Sequence, residues 1–376
     1  MEANEFFQLN EAQIINDIQL LVEASSPSSN KQLADACKEV LQSFFQKYFN
    51  RFALEIPMGE VGDFLKFTFG DGQEQLLLVG HYDTVWEPGQ VEYKETSDKI
   101  YGPGILDMKG GLISAIWALK YFHDYEIPLK KKIVFFINSD EEIGSSLSRP
   151  YLEAEAKVSQ AAFILEPPVD GTGDLKIARK GTSRYLLNIE GVAAHAGNNP
   201  ADGASAITEA AKQILAINEQ ANPEKGTTIN VGIVQGGGKL NVVPNEAKVG
   251  IDVRATTKEE QKRVDEFFEE LQPHDAQVEI KVEGGINRPP MEITAKSEQL
   301  FEIAQEEAKE LGFEVKDAKV GGASDGNITA SIVRTLDGLG LVGNGIHAEH
   351  EHILKAHLTE RIALLANTLL KVMDEL

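Results

Sequence analysis

The chain has little cysteine, little positive charge and no long hydrophobic run, and each shortage excludes a class of protein. Cys37 is the single cysteine among 376 residues, which excludes an intrachain disulfide framework. Lys and Arg number 36 against 59 Asp and Glu, giving a formal net charge of -23. This field repels phosphate backbones and anionic lipids, so we expect neither nucleic acid nor a membrane as a partner. Apolar runs such as 76–79 are too short to cross a bilayer.

The beginning of the chain also lacks the basic start and the apolar stretch of a secretory signal. We therefore expect a cytoplasmic protein, and the spacing around Cys37 predicts a small buried residue on a helix. What the chain does have is the composition of a globular protein, with 42% hydrophobic and 25% charged residues. Its length is sufficient for two domains.

Helical and buried-strand patterns alternate through the first half of the chain. Apolar residues recur at helical spacing over 14–22 and 33–44, which predicts two amphipathic helices. Buried strands are predicted where short apolar runs occur, with a helix over 111–122 among them; the runs are 75–80, 133–138 and 161–165. This alternation is typical of an α/β layer, so we expect the three strands to be central in their sheet.

From about Gly181 the pattern changes to strict alternation of apolar and polar residues. Three alternating segments, a further strand and two helical patterns follow the order β-α-β-β-α-β, which predicts a ferredoxin-like α+β fold; the segments are 184–190, 204–214, 227–234, 246–254, 264–271 and 277–282. After Arg288 the helix and buried-strand patterns return. We therefore predict a three-layer α/β domain with a central mixed sheet, residues 1–180 and 288–376, interrupted by an inserted α+β domain, residues 181–287.

Metal-binding side chains follow the predicted buried strands. His81 and Asp83 come after the first strand, Glu141 and Glu142 after the second, and Glu166 after the third. Because ligands bind at the carboxyl ends of strands in open α/β sheets, we expect these side chains to meet.

Two further candidates extend this set. A fourth predicted strand, 339–342, leads to His347, and Asp107 stands just before a helix. Imidazole and carboxylate ligands suit zinc, and a shared carboxylate would give a two-metal site. Each motif alone is also compatible with an ordinary surface feature. The stretch that contains His347, His350 and His352, for example, could be an exposed loop that binds metal only incidentally. The joint placement of the motifs at strand ends favours the metal site.

Seven motifs spread over nearly the whole chain carry a resemblance to a known family. They are GHYDTV at 80–85, YGPGILDMKGG at 101–111, NSDEEIGS at 138–145, ILEP at 164–167, GVAAHAG at 191–197, NVVPNEAKVGIDVR at 241–254 and GNGIHAEHE at 343–351. The chain resembles the zinc-dependent amidohydrolases and exopeptidases that include glutamate carboxypeptidase, succinyl-diaminopimelate desuccinylase, acetylornithine deacetylase and tripeptidase. The resemblance implies a two-zinc catalytic domain interrupted by a lid or dimerisation domain.

The resemblance also assigns the metal ligands. It makes Asp107 the carboxylate shared by two zinc ions, for which cobalt or manganese could substitute. It implies that His81 and Glu166 bind one ion, and that Glu142 and His347 bind the other. The Gly-x-Gly-x-His spacing favours His347 over the two later histidines.

The catalytic roles follow from the same resemblance. It makes Glu141 the general base, since a carboxylate beside a ligating one can take a proton from an attacking water. Asp83 then orients His81 by accepting its other ring N–H.

The resemblance further implies a homodimer formed through the inserted domain and three residues that bind substrate. His195 donates to the developing oxyanion across the dimer interface, Asn241 contacts the substrate, and Arg288 grips a carboxylate as a bidentate fork. Each residue also has a structural alternative: His195 could be a surface loop residue, Asn241 a turn residue, and Arg288 part of a hinge ion pair.

The substrate predicted in this way is a small peptide or N-acyl amino acid, with glutamate-like leaving groups favoured. Two alternatives stay open: a deacylase, desuccinylase or aminotripeptidase that shares the mechanism, and a catalytically silent binding or scaffold protein that retains the fold. The presence of all five ligand positions and of Glu141 weakens the silent alternative.

Overall fold

The computed structural model describes residues 2–376, which form two compact units. The first unit comprises the described residues up to Ala178 together with Ile293–Val320 and Ser324–Leu376. The second unit comprises Arg179–Glu292 and Gly321–Ala323. Among the described residues, none of the helices combines the length and the apolar character that a membrane crossing requires.

The regular elements are numbered along the chain. The helices are α1 (Ala3–Leu9), α2 (Glu11–Glu23), α3 (Lys31–Phe49), α4 (Gly110–Asp124), α5 (Arg149–Val158), α6 (Ala206–Asn218), α7 (Lys258–Glu269), α8 (Ala295–Glu310), α9 (Asp325–Ala330) and α10 (Leu358–Glu375). The strands are β1 (Leu54–Ile56), β2 (Phe64–Phe69), β3 (Gln75–His81), β4 (Lys94–Glu95), β5 (Lys99–Tyr101), β6 (Lys132–Asn138), β7 (Ser159–Ile164), β8 (Leu175–Arg179), β9 (Gly181–Glu190), β10 (Thr228–Gly236), β11 (Glu246–Ala255), β12 (Glu279–Arg288), β13 (Asp317–Val320), β14 (Thr335–Leu336), β15 (Gly343–Asn344) and β16 (His352–Leu354).

The first unit is built on a mixed sheet with the strand order β1-β2-β6-β3-β7-β14. Strands β6, β3, β7 and β14 run parallel, whereas β2 is antiparallel to β6 and β1 to β2. Every residue of β3 is buried. The strand lies between β6 and β7 and both of its faces are covered, which explains why its sequence is a nearly continuous apolar run. The predicted central position of the three buried strands is confirmed.

Successive side chains of β3 enter two different apolar clusters. Leu76 and Leu78 pack in one cluster with residues of α3, α4 and α10. Leu77 and Val79 pack in the other with residues of α5 and α9. Because side chains alternate along a strand, these two clusters lie on opposite faces of the sheet, and helices cover both faces.

The two predicted N-terminal helices are confirmed as α2 and α3. The side chain of Asn30 caps α3 by accepting from the Leu33 N–H, and Cys37 is fully buried on the apolar face of this helix. The sequence patterns missed α1, which is only seven residues long and is held by packing of Phe6 against Tyr121.

The second unit contains β9, α6, β10, β11, α7 and β12 in that order. Its strands form an antiparallel sheet in the order β10-β11-β9-β12. The predicted alternation is confirmed, since Tyr185, Leu187 and Ile189 are buried, and the ring of Tyr185 stacks on Phe268 of α7 at 3.8 Å between centroids.

The strand predicted over 339–342 is wrong. Gly338 adopts a positive φ of 86°, which turns the chain after β14 and ends that strand at Leu336. The following residues pass the end of β7, where the Gly340 N–H donates to the carbonyl oxygen of Glu166 at 2.8 Å. A side chain at Gly340 would clash there, because an added Cβ would lie 2.5 Å from the Leu165 carbonyl oxygen.

Candidate active site

The carboxyl edge of the central sheet carries the candidate site. His81 is the last residue of β3, Glu141 and Glu142 follow β6, and Glu166 comes two residues after β7. These strands are parallel neighbours, so their ends deliver the four side chains to one edge.

Two segments outside these strands complete the cluster. Asp107 lies in the irregular turn Ile105–Lys109, where its own dihedral angles are not helical. His347 lies in the loop between β15 and β16 and has a positive φ of 60°. A positive φ is uncommon for a residue with a side chain and is concentrated at functional sites.

The carboxylate of Asp107 lies between two imidazoles. Its Oδ1 is 3.1 Å from His81 Nε2, and its Oδ2 is 3.4 Å from His347 Nε2. Each oxygen therefore faces a different ring, which is the arrangement that a carboxylate shared by two cations requires.

Each imidazole also faces a second carboxylate. His81 Nε2 is 3.5 Å from Glu166 Oε1, and His347 Nε2 is 3.2 Å from Glu142 Oε2. Ligand atoms of His81, Glu141 and Glu166 lie within 4.8 Å of one another, and so do those of His81, Asp107 and Glu142.

Asp83 connects the first histidine to the acidic pair. Its Oδ1 is 3.3 Å from His81 Nδ1, and its backbone oxygen is 3.0 Å from the same nitrogen. Both atoms are acceptors, so Nδ1 carries the proton. The carboxylate also accepts the backbone N–H groups of Glu141 at 3.3 Å and of Glu142 at 3.2 Å, and the hydroxyl of Ser28 at 2.7 Å.

This hydrogen-bond pattern fits a metal ion. With the proton on Nδ1, the Nε2 lone pair of neutral His81 points at carboxylate oxygens, an arrangement that only a proton or a cation satisfies. Two ligand atoms that are each about 2.1 Å from a tetrahedral zinc lie about 3.4 Å apart, close to the distances from Asp107 to the two imidazoles. The donor set of imidazole nitrogens and carboxylate oxygens is also one that zinc accepts.

In the chain without metal, protons take the place of such cations. Burial opposes the charged form of His81, but its hydrogen bonds to carboxylates, that of Asp107 foremost, outweigh burial and hold its pKa well above the ordinary value. Hydrogen bonds to Asp107 and Glu142 raise the pKa of His347 to about 10. Burial raises the pKa of Glu142 to about 7, and the negative charge of Asp107 adds to the shift.

Metal uptake is therefore expected to release protons. Both rings carry protons on both nitrogens at neutral pH because their pKa values are raised, whereas metal ligation needs the neutral rings. Zinc affinity should therefore rise with pH and fall on acidification. Calorimetric titration with zinc at pH 7, in two buffers of different ionisation enthalpy, should show at least about two protons released for two ions, one from each imidazolium, with a further fraction from Glu142. Release of no protons would contradict this expectation.

The other predicted site residues lie in the second unit. His195 is exposed, and its Nδ1 accepts the backbone N–H groups of Gly197 at 3.1 Å and Asn198 at 3.0 Å, which leaves the proton on Nε2. The neighbouring loop carries Asn241, whose carbonyl oxygen accepts the Ala196 N–H at 3.0 Å. The structure thus brings His195 and Asn241 into adjacent loops.

Arg288 is the last residue of β12 and is buried. Its carbonyl oxygen accepts from Gln261 Nε2 at 2.9 Å, which fixes the backbone at this position.

The sequence patterns missed several residues that hold the site. Asp325 accepts a hydrogen bond from Asn138 at 2.6 Å and another from Ser145, so it braces the loop that carries the acidic pair. Asp140 accepts the N–H groups of Leu147 and Ser148 in the same loop. The partners of Asp325 lie 187 and 180 positions away in the sequence, so no local periodicity could have identified it.

Comparisons with known proteins give matches over most of the chain. A family model described as peptidase family M20/M25/M40 matches residues 77–371. Carboxypeptidase G2 of Pseudomonas sp. (strain RS-16) is 31% identical over 289 residues, which span 74% of this chain and 69% of that protein. Succinyl-diaminopimelate desuccinylase of Sulfurimonas denitrificans is 26% identical over 340 residues, covering 84% of this chain and 89% of that protein.

A solved structure shows the same fold. A tripeptidase from Staphylococcus aureus superposes with a TM-score of 0.77 at 23% identity, over 98% of this chain and 99% of that chain. At this level of identity, the likeness bears on the fold alone. The mixed α/β architecture with its central mixed sheet is therefore common to both proteins.

Proposed function

The chain belongs to peptidase family M20/M25/M40 and is a hydrolase of peptide or amide bonds, and from this premise we propose that it is a two-zinc exopeptidase of the glutamate carboxypeptidase type. The resemblance carried by the seven sequence motifs is thereby confirmed at the level of the family. The observation that carries the proposal is the carboxylate of Asp107, whose two oxygens face His81 and His347 separately.

The residues divide between two metal positions. His81, Glu166 and one oxygen of Asp107 would hold one ion, and His347, Glu142 and the other oxygen would hold the second. When bound, zinc supplies a Lewis acid that polarises the scissile carbonyl and makes water more acidic. Asp83 keeps His81 in the tautomer that presents Nε2 to the metal position.

Glu141 is the proposed general base. Its side chain is buried at the edge of the cluster, within reach of the ligand atoms of His81 and Glu166. A carboxylate there can take a proton from the attacking water on one of its oxygens and then deliver it to the amine leaving group.

The second unit is proposed to act as the lid and the dimerisation domain. His195, with its proton on Nε2, is a donor for the developing oxyanion, and the adjacent loop presents Asn241 to the substrate. Arg288 is the proposed anchor for the free carboxylate of a peptide or N-acyl amino acid. The high net negative charge of -23 repels such an anion at long range, so binding needs a local cation of this kind.

Replacement of Arg288 by Ala is expected to raise KM for substrates with a free terminal carboxylate by about tenfold to a hundredfold, since a charge-assisted hydrogen bond contributes about 1.5–3 kcal/mol. Steady-state kinetics on a carboxylate substrate and on its neutral amide would measure the difference. Arg254→Ala is the matched control, because that guanidinium pairs with Asp252 at 2.7 Å. Equal losses on both substrates would contradict the anchor role.

A homodimer through the second unit is supported by its sheet edge. Strand β10 lies at the edge and exposes Ile233 and Val234, and α6 exposes Leu215. An exposed apolar edge strand is suited to pairing with its twin across a two-fold axis.

Light scattering is expected to give twice the chain mass, and Ile233→Glu is expected to give a monomer with lowered kcat because His195 would lose its place in the partner's site. A monomer with full kcat would contradict the role of His195 across the interface.

A substrate panel tests the proposed function. The zinc-loaded protein would be given peptides and N-acyl amides with C-terminal Glu, N-acetyl-ornithine, N-succinyl-diaminopimelate and an unblocked tripeptide. We expect release of Glu that disappears in Glu141→Ala. Release only from the tripeptide or the other acyl substrates would replace the carboxypeptidase assignment with one of the alternatives. No release with two bound ions would point to a substrate outside the panel or to the catalytically silent alternative.

A further inference from the structure

Glu351 is a buried carboxylate that the proposed chemistry does not use. Its relative exposure is 0%, and it lies four residues after His347. Oε1 accepts the backbone N–H groups of Leu106 at 2.8 Å and Asp107 at 3.1 Å. Oε2 accepts from Trp86 Nε1 at 2.7 Å and from the Gly104 N–H at 3.2 Å.

These donors come from two segments that carry other site residues. Trp86 follows the end of β3, which places His81 and Asp83. Leu106 and Asp107 belong to the irregular turn, in which the N–H groups of these two residues donate to the carboxylate of Glu351.

The backbone of Glu351 belongs to a third segment. Its N–H donates to the Ala348 carbonyl at 2.8 Å and so closes a turn over 348–351, directly after His347. Its own carbonyl accepts the Gly102 N–H at 3.3 Å. Glu351 therefore connects the loop of His347 to the segment that contains Asp107 through its side chain and also through its backbone.

A carboxylate buried in this way needs several donors, because an unpaired charge away from water is unfavourable. Among the described residues, the hydrogen-bond partners of the Glu351 side chain are N–H groups of the backbone and of an indole, with no ammonium or guanidinium group. These four N–H donors, together with the positive charge of the nearby Lys109, stabilise the carboxylate and tie it to the surrounding backbone.

We propose that Glu351 is a positioning residue that sets the register between the Asp107 turn and the His347 loop. By fixing the peptide of Asp107, it places one carboxylate oxygen toward each imidazole, so that both metal positions share this residue. The inference rests on the proposed two-zinc function and extends it to the residue that keeps the two positions in register.

The test is Glu351→Gln in the full chain. In either orientation of the amide, its nitrogen would face one pair of N–H donors, so two of the four hydrogen bonds would be lost without a change in side-chain size. We expect at least tenfold weaker binding of the more weakly held of two zinc ions, measured by competition with a metal buffer, since outer partners of metal ligands affect affinity by about 10- to 100-fold. The visible absorption of the cobalt-substituted protein should also change.

Asp17→Asn is the matched control. Asp17 is another carboxylate with 0% exposure in the first unit, and it accepts from an indole, Trp117 Nε1, at 3.0 Å. This variant also replaces a buried charge by an amide, so it controls for general destabilisation. We expect its folded form to keep wild-type zinc affinity and the wild-type cobalt spectrum.

Trp86→Phe tests the proposal if Glu351→Gln does not fold. It removes one donor and leaves the carboxylate, so we expect a smaller loss of zinc affinity, at least threefold, with an unchanged circular dichroism spectrum. Wild-type affinity and an unchanged cobalt spectrum in the folded Glu351→Gln protein, or in Trp86→Phe where it alone folds, would overturn the positioning role. Failure of the wild-type protein to bind two zinc ions would instead overturn the proposed function on which the inference rests.

Discussion

Replacing Glu141 by Gln is expected to lower kcat at least about a thousandfold while both zinc ions stay bound. The substitution keeps the size of the side chain but removes its capacity to take a proton, and general base catalysis contributes about 10²- to 10⁴-fold. A thousandfold loss corresponds to about 4 kcal/mol in the activation barrier. Glu141 is assigned to neither metal position, so the zinc content measured by mass spectrometry should stay the same.

The control for this variant is Glu153→Gln, which removes a carboxylate on α5 that pairs with Arg149 at 2.9 Å. It should keep the wild-type kcat and zinc content. A Glu141→Gln protein with kcat within tenfold of wild type would contradict the assignment of the base. Loss of zinc from that variant would instead make Glu141 a metal ligand.

Replacing His347 by Ala is expected to remove one of two zinc ions and to abolish measurable turnover. His347 is the imidazole closest to Glu142, at 3.2 Å, and faces the second oxygen of Asp107. Without it, that position would retain only carboxylate oxygens from these residues, and the shared arrangement would be lost. Zinc content and kcat measured on the same sample would test this.

His350→Ala is the matched control, since it removes an exposed imidazole from the same loop. His352 has a structural place instead, because its Nδ1 lies 2.8 Å from the His350 carbonyl oxygen and its ring packs against Tyr101. We therefore expect His350→Ala to keep both ions. Retention of both ions by His347→Ala would contradict the assignment and transfer the ligand role to His350 or His352.

The sequence could predict the residues at strand ends because their position depends on local pattern. The apolar run of β3 ends directly at His81, and parallel neighbours bring Glu141, Glu142 and Glu166 to the same edge. Once the strands are known to be central and parallel, their carboxyl ends must lie side by side, so the proximity of these side chains can be predicted.

The route of the chain to His347 could not be predicted in the same way. The apolar stretch 339–342 has the composition of a buried strand, but the positive φ at Gly338 and the close packing at Gly340 prevent it from extending β14. The Gly-x-Gly-x-His spacing nevertheless points to His347, which lies beside Asp107 and Glu142 and is placed there by a local turn rather than by the strand.

The supporting residues depend on contacts between distant parts of the chain. Glu351 receives N–H groups from residues 244 to 265 positions away, and Asp325 receives a side-chain hydrogen bond across 187 positions. Tertiary structure sets such partners, and the hydrophobic periodicity of a single sequence reports only local structure. It therefore gives no signal for these contacts. The helix α1 was missed for a related reason, since packing rather than a long repeat stabilises it.

In the proposed enzyme, this edge of the sheet hydrolyses amide bonds by using two metal positions that share Asp107. The most direct measurement is turnover of a C-terminal Glu substrate during stepwise addition of zinc to chelator-treated protein, with bound zinc determined at each step. We expect turnover to depend on added zinc and uptake to end at two ions per chain. Full turnover by the chelated protein, or saturation of uptake at a single ion with full activity, would contradict it.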